Sequence, residues 1–82
     1  MAIRMLRLPS VLERAGHKRS SHYAKVASGL WTPPVSISSR SVAWPEDECE
    51  ALLAARVAGQ SDDEIRTLVT RLIAARSRRK CA

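Results

Sequence analysis

Several things are scarce or missing in this sequence, and each absence excludes a class of protein. It holds two cysteines, Cys49 and Cys81, which is too few for a disulfide framework and fits a reducing cytoplasm. No apolar run approaches the roughly 18–20 residues that a bilayer-spanning helix needs, so no membrane partner is expected. The opening MAIRMLRLPSVLERAG breaks its Leu and Ile with Arg and forms no signal-peptide core. There is no internal repeat and no low-complexity tract. Catalytic constellations are missing too. His17, His22, Cys49 and Cys81 lack the short paired spacings of a zinc site. No Gly-rich phosphate loop, Ser-His-acid set or helical pair of metal ligands occurs. No enzyme, metal or cofactor is expected.

Acids are the last scarcity. Through residue 44 Glu13 stands alone against Arg4, Arg7, Arg14, Lys18, Arg19, Lys25 and Arg40. The acids gather in residues 45–75, as Glu46, Asp47, Glu48, Glu50, Asp62, Asp63 and Glu64, and Arg76, Arg78, Arg79 and Lys80 form a basic tail. The whole chain carries +6. A front half so basic suits a polyanion, because each neutralised phosphate releases condensed counterions; a solvated surface kept for solubility is the plainer alternative.

With 82 residues, 45% of them apolar, the chain is one small folded domain rather than a disordered basic tail. A core of this size supplies about 3–5 kcal/mol, so a partner that neutralises charge would matter. In PSVLERAG, Pro9 suits the first turn of a helix and Gly16 its C-terminal cap. SSHYAKVASG reads as a second short helix, with Ser20 as N-cap and Tyr23, Val26 and Ala27 inward. Pro33 and Pro34 then force an extended approach. Val35 and Ile37, then Val42 and Trp44, alternate on either side of Ser38–Ser41, which predicts a β-hairpin pairing Ile37 with Val42 and Val35 with Trp44. Pro45 opens a third helix whose buried stripe is Cys49, Leu52, Leu53 and Val57. Ser61-Asp62-Asp63-Glu64 is a capping box for a fourth, along which Ile65, Leu68, Val69, Leu72 and Ile73 recur at helical spacing. That helix should fray into the basic end, and Arg66 and Arg71 should pair with neighbouring acids.

This order predicts a mainly α winged helix-turn-helix with a small β-hairpin and an extra C-terminal helix. Residues 1–60 are the DNA-binding unit, and residues 61–82 a helix and basic tail that pack back or self-associate. In such a fold the second helix enters the major groove and the wing reaches the neighbouring backbone. Lys18 and Arg19, at the helix start, oppose its dipole unless a phosphate sits there. Ser20, Ser21, His22 and Lys25 read as its polar side, able to touch base edges. Arg40, at the wing tip, suits phosphate or a narrow minor groove. Arg4, Arg7, Ser38 and Ser39 are further phosphate candidates. Lys25 also reads as an ordinary solvated helix residue, and His22 as a packing residue. Tyr23, Trp31 and Trp44 fit a core better than stacking platforms.

The segment RLPSVLERAG…RSSHYAKVASGLWTPPVSISSRSVAW resembles the AlpA-like regulators of phages and mobile elements, which are similar to the DNA-binding domains of MerR proteins and to many excisionases. The specific parts are RLP, Arg19-Ser20-x-x-Tyr23, the run from Gly29 to Val35, and Arg40-x-Val42-x-Trp44. Two places depart from the family pattern. His17-Lys18 stands where Leu-Ser is common, and Ser21-His22 where Thr and an aliphatic residue are usual. The resemblance implies a winged helix-turn-helix that binds double-stranded DNA, either as a transcriptional regulator or as a recombination directionality factor bending attachment-site DNA. The charge blocks suggest head-to-tail self-association on DNA. A module that binds an integrase, with DNA incidental, is the alternative of another class.

Overall fold

Four helices and three short strands make up residues 4–79, the part of the chain that the computed structural model describes. They run β1 (Met5–Leu6), α1 (Leu8–Ala15), α2 (Arg19–Ala27), β2 (Val35–Ser36), β3 (Val42–Pro45), α3 (Glu46–Val57) and α4 (Asp62–Arg79). The architecture is a winged helix-turn-helix with an added C-terminal helix, mainly α, its sheet antiparallel in the order β1-β3-β2. Residues 1–3 and 80–82 lie outside the description, and with them the end of the basic tail.

Local chemistry explains most boundaries. Pro9 lies in the first turn of α1, where its missing N–H costs nothing. Gly16, at φ 72°, ends that helix in the left-handed conformation, and its N–H donates to the Leu12 carbonyl. The capping box forms at α4: Ser61 N–H donates to Glu64 Oε1 at 3.0 Å, and Glu64 N–H to Ser61 Oγ at 3.2 Å. Those bonds favour the carboxylate and hold the Glu64 pKa below its usual range. Gly59 follows α3 as expected, and α4 continues in helix to Arg79, into the basic end predicted to fray from Ala75.

The hairpin register differs from the alternation reading by one residue. Val35 faces Ala43 and Ser36 faces Val42, so Ile37 drops out of the ladder into the turn, where its N–H donates to the Ser41 carbonyl. The sheet also has a third strand, β1, which the sequence pattern did not reveal. It pairs with the other edge of β3, setting Leu6 opposite Trp44 and Met5 opposite Pro45. Trp44 thereby turns into the core, fully buried, and its indole N–H donates to the Thr32 carbonyl at 2.8 Å. Ile37 and Val42 stay partly exposed.

The core gathers Leu6, Val11, Trp31, Trp44, Cys49, Leu52, Ala55, Ile65 and Val69. α4 therefore shares one apolar centre with the rest of the chain. On α3 the stripe is Glu48, Cys49, Leu52 and Ala55, and Val57 is 89% exposed rather than inward. The α2 stripe is also turned by about one residue, or ~100°. His22 is 0% exposed, whereas Tyr23 is 39% exposed and Ala27 lies at the surface.

His22 is thus corrected from a groove-facing group to a core residue. Its ring packs edge-on to Trp44 at 4.8 Å and to Trp31 at 5.5 Å between centroids. Its Nδ1 shares a hydrogen bond of 2.9 Å with His17 Nε2. The two positions that depart from the family's aliphatic pattern therefore meet, and each imidazole gives the other a polar partner inside an aromatic wall. Burial, reinforced by His17, pushes the His22 pKa down to about 4. His17 is lowered as well, by burial and then by Lys25.

Unfolding frees His22 to take up a proton near pH 6.5, whereas the folded chain resists until about pH 4. The unfolded state binds more protons across that window, so this contribution to stability is complete above about pH 6.5 and lost as the pH falls toward 4. Urea denaturation should show the wild type losing stability across that range, and His22→Leu should flatten the loss. An unchanged slope in the variant would contradict this assignment.

Candidate nucleic-acid interface

Cations in this fold divide into those already paired and those left open. Arg14 holds Glu46 at 2.9 Å, with Arg4 approaching the same carboxylate at 3.9 Å. Arg56 holds Asp62 at 3.2 Å, Arg66 holds Asp63 at 3.3 Å and Arg76 holds Glu48 at 2.6 Å. Arg7, Lys18, Arg19, Lys25, Arg40 and Arg71 have no ion pair within 4.0 Å among the described residues. Arg71 was expected to pair and does not. The other five stand between residues 7 and 40, on the helix-turn-helix and the wing.

The start of α2 concentrates this open charge. Its N-cap is Lys18, in extended conformation and without a side-chain cap bond, so Ser20 lies inside the first turn and is not the cap. Serine at that point is too late to reach the leading N–H groups. Those donors remain uncapped beside Lys18 and Arg19, both exposed, and the helix dipole adds partial positive charge there. Such an end is unfavourable by itself and becomes favourable when an anion arrives.

Around the helix the exposed surface is built of small groups. Ser20, Ser21, Ala24 and Ala27 are exposed. Arg19 and Lys25, six residues apart, sit about 120° from one another around the axis. Lys25 is half-buried. It lines a cleft of about 300 Å³ with Ala15, His17, Trp31, Leu53 and Arg56. Ser38, Ser39 and Arg40 are all exposed in the wing turn, and Arg4 and Arg7 are exposed beside β1. The Ser36 hydroxyl donates to the Ser38 carbonyl at 3.0 Å, which tightens that turn.

Sequence reasoning missed Ala24, Ala27 and the half-exposed face of Tyr23. The signal available was the run of small residues Ser20, Ala24 and Ala27, which at helical spacing share one side. A helix face without bulk lets its backbone approach a groove floor, and an alanine methyl can meet a thymine methyl. The Tyr23 phenol has no hydrogen-bond partner among the described residues, while its ring rests edge-on to Trp44 at 6.5 Å between centroids.

Nucleophilic chemistry finds no support at Cys49. It is buried, and burial with Glu48 beside it pushes the thiol up to about 11, so it stays protonated at neutral pH. Among the described residues no three His, Cys, Asp or Glu side chains come together as a metal site, and no helix is long and apolar enough to cross a membrane.

A family model described as Prophage CP4-57 regulatory protein (AlpA) matches residues 4–57. The match takes in every candidate contact residue and stops at the last residue of α3, leaving α4 outside. Uncharacterized protein ORF88 of Enterobacteria phage P4 is 39% identical over 57 residues, which cover 70% of this chain and 65% of that protein. No solved structure matches the chain.

Proposed function

The chain belongs to the AlpA family of prophage regulatory proteins, and from that premise we propose that it is a sequence-specific, duplex-DNA-binding regulator of a mobile element. The DNA-binding unit of this reading is residues 1–60. One observation carries it: the open cations gather on the uncapped start of α2 and on the wing, while Arg14, Arg56, Arg66 and Arg76 hold acids elsewhere. In this reading α2 enters the major groove through Ser20, Ser21, Ala24 and Ala27. Lys18 and Arg19 meet phosphate at the helix start, with Arg7 reaching the backbone beside it. Arg40, with Ser38 and Ser39, contacts the backbone or minor groove from the wing. Lys25 serves the flank of the groove, away from the Arg19 edge. His22 makes no contact; it seats α2 on Trp44.

We take the output to be that of a recombination directionality factor that binds and bends attachment-site DNA. A duplex that curves toward the open cations of α2 and the wing gains phosphate contacts, which repay the cost of bending. Self-association along the DNA has less to draw on than the charge blocks suggest, because Glu46 and Glu48 are held within the chain, whereas Glu13 and Glu50 remain exposed.

Gel-shift titration of the DNA flanking its own gene, at several salt concentrations, tests the proposal. Affinity should fall steeply with salt, with a logarithmic slope of about 0.9 for each phosphate contacted. Arg40→Ala should weaken binding to all duplexes alike and shallow that slope by about 1. Arg19→Ala, which removes a phosphate contact at the helix start, should likewise weaken binding to all duplexes and shallow the slope by about 1. A folded Arg19, Lys25 and Arg40 triple alanine variant that binds as tightly as wild type would sink the assignment and favour a protein-binding module.

A further inference from the structure

α4 lies wholly outside the family match, yet its side chains hydrogen-bond to the C-cap of α2 and to the stretch that leads into the wing. Near its start, Arg66 Nε donates to the carbonyl of Ser28 at 3.0 Å. Ser28 is the C-cap of α2, so the guanidinium meets a carbonyl at the negative end of that helix. Asp63, one turn earlier on α4, steadies the same side chain at 3.3 Å. Gly29 follows at φ 79°, a left-handed conformation that favours glycine, and lies beside the Arg66 stem.

Near the other end of α4, Arg76 makes a second tie. Its Nε donates to Glu48 Oε2 at 2.8 Å and its Nη2 to Glu48 Oε1 at 2.6 Å. The same Nη2 donates to the Pro33 carbonyl at 2.8 Å. Pro33 lies in the stretch leading into β2, and neither Pro33 nor Pro34 has an N–H with which to join a ladder. A buried carboxylate, Glu48, 1% exposed, fixes the fork that holds this carbonyl. Ten residues of helix separate the two arginines, a rigid spacing of about 15 Å.

We propose that α4 is a brace that sets the position of the wing relative to α2, with Arg66 and Arg76 as positioning residues for DNA recognition. The inference rests on the DNA-binding reading above for its purpose, while the brace itself is a property of the free protein. A duplex presents groove floor and backbone at fixed separation, so a wing and helix held at that separation bind without ordering cost. Arg66 and Arg76 are consumed in this work, which is why they are no part of the open cationic surface.

Arg76→Ala alone would strand Glu48 as an unpaired buried charge and threaten the fold. The informative variant is Glu48→Met with Arg76→Met, since apolar replacement of a buried ion pair is often neutral to stability while the tie to Pro33 is cut. Arg66→Ala, at an exposed position, severs the other tie, and Arg66→Lys, which keeps a cation and a donor, should restore part of it. Amide hydrogen exchange on the free full-length chain reads the brace directly. Exchange at Val35, Ile37 and Ala43, the residues whose N–H groups pair across the hairpin, should speed up about tenfold or more in the double variant, and at Ser28, Gly29 and Leu30 in Arg66→Ala. Melting temperature should stay near that of the wild type.

The second readout is the affinity ratio between the duplex that the wild type selects from a random pool and unselected duplex. That ratio should fall about tenfold in the double variant. Unchanged exchange at both sets of amides overturns the brace, whatever the DNA result. Faster exchange with an unchanged ratio overturns its role in recognition. Should the double variant not fold, Arg66→Ala decides by the same two measurements. A wild type that prefers no duplex overturns the DNA reading, and exchange alone then judges the brace.

Discussion

The buried indole of Trp44 is the contact on which the rest of this small molecule depends. Its strand faces Leu6 on one edge and the wing strand on the other, its N–H takes the Thr32 carbonyl, and its ring meets His22 of α2. One side chain thus joins the N-terminal strand, the entry to the wing and the second helix of the helix-turn-helix. A donor bonded inside the core also removes the penalty that an orphaned indole would impose. With so little apolar surface available, a single large ring that satisfies three elements does more than several small aliphatic contacts.

Charge is then apportioned around that centre. Acids at the start of α3 sit where the dipole favours them, and arginines from elsewhere in the chain turn inward to meet them, Arg14 on Glu46 and Arg76 on Glu48. The start of α2 receives no such compensation. Lys18 and Arg19 crowd an uncapped helix end, an arrangement with a cost in the free protein that an incoming phosphate relieves. The molecule therefore carries its instability where a polyanion would bind.

Much of this was legible in the residues. The prolines, Gly16, Gly29 and the Ser61–Glu64 box set the helix limits because each acts through local backbone geometry. The winged order followed from those limits. What escaped depends on partners distant in sequence. A two-residue strand such as Met5–Leu6 has no periodicity to detect, and the hairpin register rests on which face of β3 the core takes, which alternation alone does not decide. His22 looked polar because histidine usually is; only its meeting with His17 makes burial tolerable. Likewise Arg76 counted as tail charge until Glu48, 28 residues earlier, came into reach. The exposed face of α2 was off by one residue because Tyr23 is large and aromatic, and Ala24 and Ala27 carry no chemical flag.

Amide chemical-shift perturbation on the isotope-labelled chain, as its selected duplex is added, tests the central idea most directly. Shifts should concentrate on Lys18 through Ser21, Ala24, Ala27 and the wing turn at Ser38 to Arg40, and spare the outer face of α4 around Thr67 and Arg71. Perturbations centred on α4 and the end of α3, with the start of α2 unmoved, would contradict the account.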